Sequence, residues 1–157
     1  MTHLLLGLDH PATNPSVSPP VLFEGVSTYQ GMVCAWECDE NAHMNVQFYG
    51  AKIDEAARLF FLMHGLSQSV LSNQDLSISP RTTHSRYHKE LRAGALVSVK
   101  TRVIQASPDR LVLCHVLSDG ASNEIAATLV VRYDLQKPGG QTIPWSDDHC
   151  AAFERVK

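Results

Sequence analysis

No apolar run in this chain approaches the ~18 residues needed to span a bilayer. The opening Met1-Thr2-His3, followed by Leu4-Leu5-Leu6, lacks the cationic start, the long apolar stretch and the small-residue cleavage site of a secretory signal. Basic charge is not in excess either. Lys and Arg number 13 against 16 Asp and Glu, a net charge of −3, so composition gives no general attraction to nucleic acid or to an anionic membrane surface. Cysteine is sparse: Cys34 and Cys38 form one close pair, and Cys114 and Cys150 do not supply a second to complete a zinc site. Free thiols and a cytoplasmic location are the expectation. What remains is a 157-residue chain with 44% hydrophobic and 18% charged residues, enough apolar material for the core of one domain.

Residues 1–20 carry Pro11, Pro15, Pro19 and Pro20 with no helix or strand period, and read as a flexible tail ahead of a single domain over 21–157. Residues 29–36 alternate as a short first strand, and residues 37–43 are polar and turn-like. Asn45 suits a helix N-cap, because its side-chain oxygen can accept an orphan N–H of the first turn. After it, Val46, Tyr49, Ile53, Ala56, Phe60 and His64 fall on one helical stripe, with Lys52, Glu55 and Arg58 as a narrow polar strip. Gly65 stands where such a helix ends. Residues 67–80 read as a loop with a helical turn near Val70-Leu71. Strands are expected over 82–91, 95–103, 111–117 and 124–133, joined by tight turns. That order predicts an α+β fold, an antiparallel sheet wrapped around one long buried helix.

The stretch 36–45, Trp-Glu-Cys-Asp-Glu-Asn-Ala-His-Met-Asn, sets acids, amides and a histidine between a strand and a helix start. A helix start presents unpaired N–H groups and partial positive charge, which suit an oxyanion or a polarised carbonyl. A neighbouring carboxylate can serve as nucleophile or general base. The plainer alternative is a polar loop that only caps its helix.

The run Asp39-Glu40-Asn41-Ala42-His43-Met44-Asn45, with Tyr49 and the helix through Arg58, resembles the hot-dog-fold acyl-CoA thioesterases. Within them it is similar to the 4-hydroxybenzoyl-CoA thioesterase-like group, close to the betainyl-CoA thioesterase branch with its D-x-N-G-H-M-N pattern. The resemblance implies hydrolysis of an acyl-CoA thioester, with Asp39 as the catalytic carboxylate and the backbone N–H of Val46, or of Asn45 beside it, at the helix start polarising the carbonyl. His43 and Asn45 match the H-x-N positions that shape the loop near the thioester. The family also implies a homodimer with a continuous sheet, or a dimer-of-dimers tetramer. Coenzyme A enters as part of the substrate, with no separate cofactor. Ala42 stands where the branch usually has glycine, which admits positive φ at little steric cost.

Tyr49, Arg86 and Lys89 are the candidate substrate-binding residues, the two cations as partners for CoA phosphates. The plain reading of Arg81, Arg86, Lys89, Arg92 and Arg110 is a solvated sheet face. Asp54 and Glu55 read as exposed helix charges, and Phe48, Phe60 and Phe61 as core. His84 and His88 would sit ~13 Å apart on a strand, so no metal site is expected. Two other functions fit a hot-dog fold: an enoyl-CoA hydratase, whose D-x-N-P-x-H-like loop has a proline absent here, and a non-catalytic acyl-CoA-binding protein.

Overall fold

The apolar stripe that starts at Val46 forms an 18-residue helix, α1 (Val46–Met63). Asn45 caps it, its side chain accepting from the Gln47 N–H. At the other end Gly65 takes φ +78° while Leu66 N–H reaches Phe61 O and Gly65 N–H reaches Leu62 O, the paired bonds of a Schellman stop. The computed structural model describes residues 24–155, so the tail expected over residues 1–20 lies outside the described residues.

Around α1 run β1 (Val26–Met32), a short α2 (Gln68–Asn73), β2 (Ser77–Tyr87), β3 (Leu96–Ser107), β4 (Arg110–Asp119), β5 (Ile125–Gln136), β6 (Thr142–Ile143) and α3 (Asp147–Glu154). One antiparallel six-stranded sheet has the order β1-β3-β4-β5-β2, with β6 on β5. Helix α1 buries Tyr49, Ile53, Ala56, Ala57, Phe60 and Phe61, and the sheet supplies Val97, Val99, Val103, Leu113, Leu117, Leu129 and Val131 to the same core. Its opposite face, with Leu59, Leu62 and Met63, is open in the single chain. Trp145 and Phe153 close one end against Phe61. One polar thread crosses the interior: Thr28 hydroxyl to Thr101 hydroxyl (2.8 Å), Thr101 to His115 Nδ1 (2.8 Å), and His115 Nε2 to the Tyr133 hydroxyl (3.2 Å). Burial lowers the His115 imidazole from 6.5 to about 4, which keeps it neutral.

Three expectations need correction. The first strand ends at Met32, not at residue 36, because Glu37 turns back to accept the Cys34 N–H (2.8 Å) and folds Ala35–Glu37 into a 3-10 turn. β2 begins at Ser77, inside the expected loop; exposed or half-buried throughout, it lies at the sheet edge. And β2 does not form a hairpin with β3. Its partner is β5, and residues 88–95 cross the end of the sheet to reach β3 beside β1. That crossing brings Leu91 against Met44, whose N–H donates to Leu91 O (2.7 Å). The four cysteines are free, and among the described residues no helix is long and apolar enough to cross a membrane.

Candidate active site

Residues 38–44 form a loop pinched by an antiparallel bridge between Cys38 and Met44. Inside it Asp39 N–H donates to His43 O (3.0 Å) and Ala42 N–H to Asp39 O (2.9 Å). The Asp39 carboxylate is bound on one side only. Its Oδ1 accepts from the N–H groups of Asn41 (2.9 Å) and His43 (3.4 Å), and among the described residues Oδ2 carries no hydrogen bond. Ala42 takes φ +60°, the left-handed conformation that glycine adopts freely, so the loop follows the glycine path with an alanine in it.

The loop hands over directly to the helix start. Asn45 N–H donates to Glu37 O (2.9 Å), Asn45 O accepts from Phe48 N–H (2.9 Å), and the Asn45 side chain takes Gln47 N–H (3.1 Å). The N–H of Val46, first residue of α1, has no intrahelical acceptor by geometry. An open cleft of about 780 Å³ lies over this junction, lined by Asp39, Asn41, His43, Met44, Asn45, Val46, Tyr49, Tyr87, His88, Lys89 and Glu90. Six of the seven predicted site residues therefore meet on one surface.

Their functions within the chain differ. His43 Nε2 lies 3.1 Å from the Glu90 carboxylate. The Tyr49 hydroxyl donates to Lys89 O (3.2 Å), its ring meets Tyr87 edge-on, and burial pushes its phenol above the ordinary range. Lys89 lines the cleft, but its ammonium is held by Asp119 (2.9 Å), Glu124 and Ser122 across the β4–β5 turn. Hydrogen bonding to Lys89 holds the Asp119 carboxyl down at about 2. Arg86, the seventh residue, lines a separate groove of about 370 Å³ with His84, Ser85, Thr128 and Val130; His88 borders both. Asp54 and Arg58 are exposed at the rim of a third cavity, about 340 Å³, floored by Phe61, Leu66, Leu71, Ile78 and Tyr133.

Sequence reasoning missed Tyr87, His88 and Glu90, which only the crossing of residues 88–95 brings to the cleft. It also missed Glu37 and Lys52. Lys52 is buried, not part of an exposed polar strip, and its Nζ lies 2.7 Å from Glu37 Oε1. Its position three residues after Tyr49 and four before Ala56 put it on the apolar stripe, a signal present in the spacing.

A family model described as the thioesterase-like superfamily matches residues 33–153. No curated protein matches the chain. Among solved structures, a Staphylococcus aureus protein in complex with CoA superposes with TM-score 0.76 at 18% identity, covering 85% of each chain. The 1,4-dihydroxy-2-naphthoyl-CoA thioesterase from Synechocystis gives TM-score 0.70 at 17% identity over 80% of this chain and 93% of its own. The DHNA-CoA thioesterase from Staphylococcus aureus gives 0.73 at 18% identity over 81% and 87%. At such identities the likeness is one of fold. The match is made at the level of the superfamily and does not single out the betainyl-CoA branch.

Proposed function

The chain belongs to the thioesterase-like superfamily, and on that premise we propose that it hydrolyses an acyl-CoA thioester to free acid and CoA in the cleft at the start of α1. The observation that carries this is the convergence of a half-tethered carboxylate, Asp39, and the first N–H of a long helix on one cleft. A structural neighbour solved with CoA and others named as CoA thioesterases support the substrate class.

The thioester carbonyl lies against the Val46 N–H, where the helix dipole favours developing negative charge. Asp39 Oδ2 attacks the carbonyl carbon or takes a proton from an attacking water; both routes use the same carboxylate. The carbon–sulfur bond breaks, CoA leaves as the thiolate, and water supplies the new oxygen of the acid. Tethering of Oδ1 by two amides orients the carboxylate before substrate arrives. His43, paired with Glu90, and Asn45, engaged in the cap, shape the loop, and Tyr49 walls the cleft. Coenzyme A is part of the substrate, and no step requires a further cofactor. Because the Lys89 ammonium is engaged by acids, the groove of Arg86 beside His88 is the better place for CoA phosphates. The edge of β2, unpaired among the described residues, supports pairing with a second copy to make a homodimer.

The test is CoA release, followed with a thiol reagent, from short, medium, long, aromatic and betainyl thioesters. At least one is turned over by the wild type, and Asp39→Asn removes that turnover while still binding acyl-CoA. Absence of turnover across the whole panel contradicts the proposal.

A further inference from the structure

The most deeply buried charges near the cleft do not touch it. Glu37 and Lys52 are 5% and 4% exposed, and neither lines the cavity over Asp39. The Lys52 ammonium lies 2.7 and 3.0 Å from the two carboxylate oxygens of Glu37, 3.5 Å from Met32 O, and 5.7 Å from the centre of the Tyr29 ring. Burial alone would lower the Lys52 pKa, but the Glu37 hydrogen bond, together with Tyr29 and the Glu37 charge, outweighs it and holds the ammonium above its ordinary range. A buried ion pair is a poor way to gain stability, since well-packed apolar residues commonly replace one without loss. Its presence calls for another reason.

The connections of Glu37 supply one. Its carboxylate accepts from Cys34 N–H just past the end of the first strand, and its carbonyl accepts from Asn45 N–H, one residue before Val46. Asp39 follows it by two residues. Lys52, for its part, is joined rigidly to Val46 through α1, fewer than two turns away. The pair thus bolts the segment that carries Asp39 to the helix whose first N–H faces the same cleft. We propose that Glu37 and Lys52 are positioning residues, fixing the Asp39 carboxylate relative to the Val46 N–H at the distance the thioester reaction needs. This rests on the hydrolysis proposed above.

The experiment compares the wild type with the apolar double variant Glu37→Leu/Lys52→Met and with the charge-preserving Lys52→Arg, reading kcat, KM, the unfolding midpoint and amide exchange at Asn45. The double variant keeps its midpoint within about 5 °C, because apolar side chains replace the pair. Its kcat falls by about thirtyfold or more with KM within about threefold, as expected for a misplacement of under about an ångström, while the Asn45 amide exchanges at least about ten times faster. Lys52→Arg keeps kcat within about fivefold of wild type. A folded double variant with wild-type kcat overturns the proposal. If the double variant does not fold, Lys52→Gln takes its place: it loses kcat at constant KM, and equal kcat in Lys52→Gln and Lys52→Arg overturns the proposal. A wild type that turns over no thioester overturns the hydrolysis itself; unchanged Asn45 exchange in the double variant then overturns the bolt independently.

Discussion

Ala42 carries the clearest local strain at the site. A β-carbon at φ +60° costs about 1–2 kcal/mol, and glycine would relieve it while giving back about 0.4–1 kcal/mol through a freer unfolded chain. Ala42→Gly therefore stabilises the protein by about 0.5 kcal/mol, read as a higher urea midpoint at unchanged m-value; a lower midpoint contradicts the left-handed loop. His115 sets a second expectation. Its value falls from 6.5 in the unfolded chain to about 4 in the fold, so as pH drops the unfolded chain takes up the proton first. The native state is unaffected above pH 6.5, loses stability progressively as pH falls from there to 4, and the loss levels off at about 3 kcal/mol. Urea unfolding across that range shows the slope, and His115→Gln flattens it. Among single residues, the gathering of Asp39, His43, Asn45 and Val46 at the helix start was legible, because a cap signal and a motif coincide over a few consecutive positions. The pairing of Lys52 with Glu37 was not: the spacing puts Lys52 on the apolar stripe, but charged residue types are expected at the surface and only the fold places the two opposite one another.

At the scale of elements, the start of α1 is the most consequential junction. Asn45 sits at φ −61°, ψ 140°, the extended conformation that a residue preceding proline prefers. Proline is also favoured as the first residue of a helix, where its missing N–H breaks no internal bond. Val46→Pro consequently deletes the N–H proposed as oxyanion donor without breaking the helix: the proposal predicts unchanged circular dichroism and a fall in kcat of about a hundredfold. A variant with wild-type kcat excludes the Val46 N–H from the reaction. Helix α1, with its cap and its glycine stop, followed from periodicity, as did β3, β4 and β5, whose buried faces carry the apolar residues. β2 was harder to place because an edge strand with no buried face shows no period. The crossing of residues 88–95 was invisible for another reason: pairing of β2 with β5 and of β3 with β1 is long-range, and local pattern says nothing about it.

For the whole molecule, the exposed sheet edge bears on assembly and the Asp39 cleft on reaction. Among the described residues, β2 offers eleven residues of backbone bonded to β5 on one side only, and α1 leaves Leu59, Leu62 and Met63 uncovered. A second copy that extends the sheet gives a sedimenting mass of twice 17.3 kDa or a multiple of that; a monomer at micromolar concentration contradicts the dimer. The measurement that bears most directly on function is the rate of CoA release by Asp39→Asn beside the wild type, on the best thioester of the panel and with both proteins shown folded. Hydrolysis in the Asp39 cleft predicts a loss of about a thousandfold or more in kcat with acyl-CoA binding retained. An Asp39→Asn variant that releases CoA at the wild-type rate would contradict it.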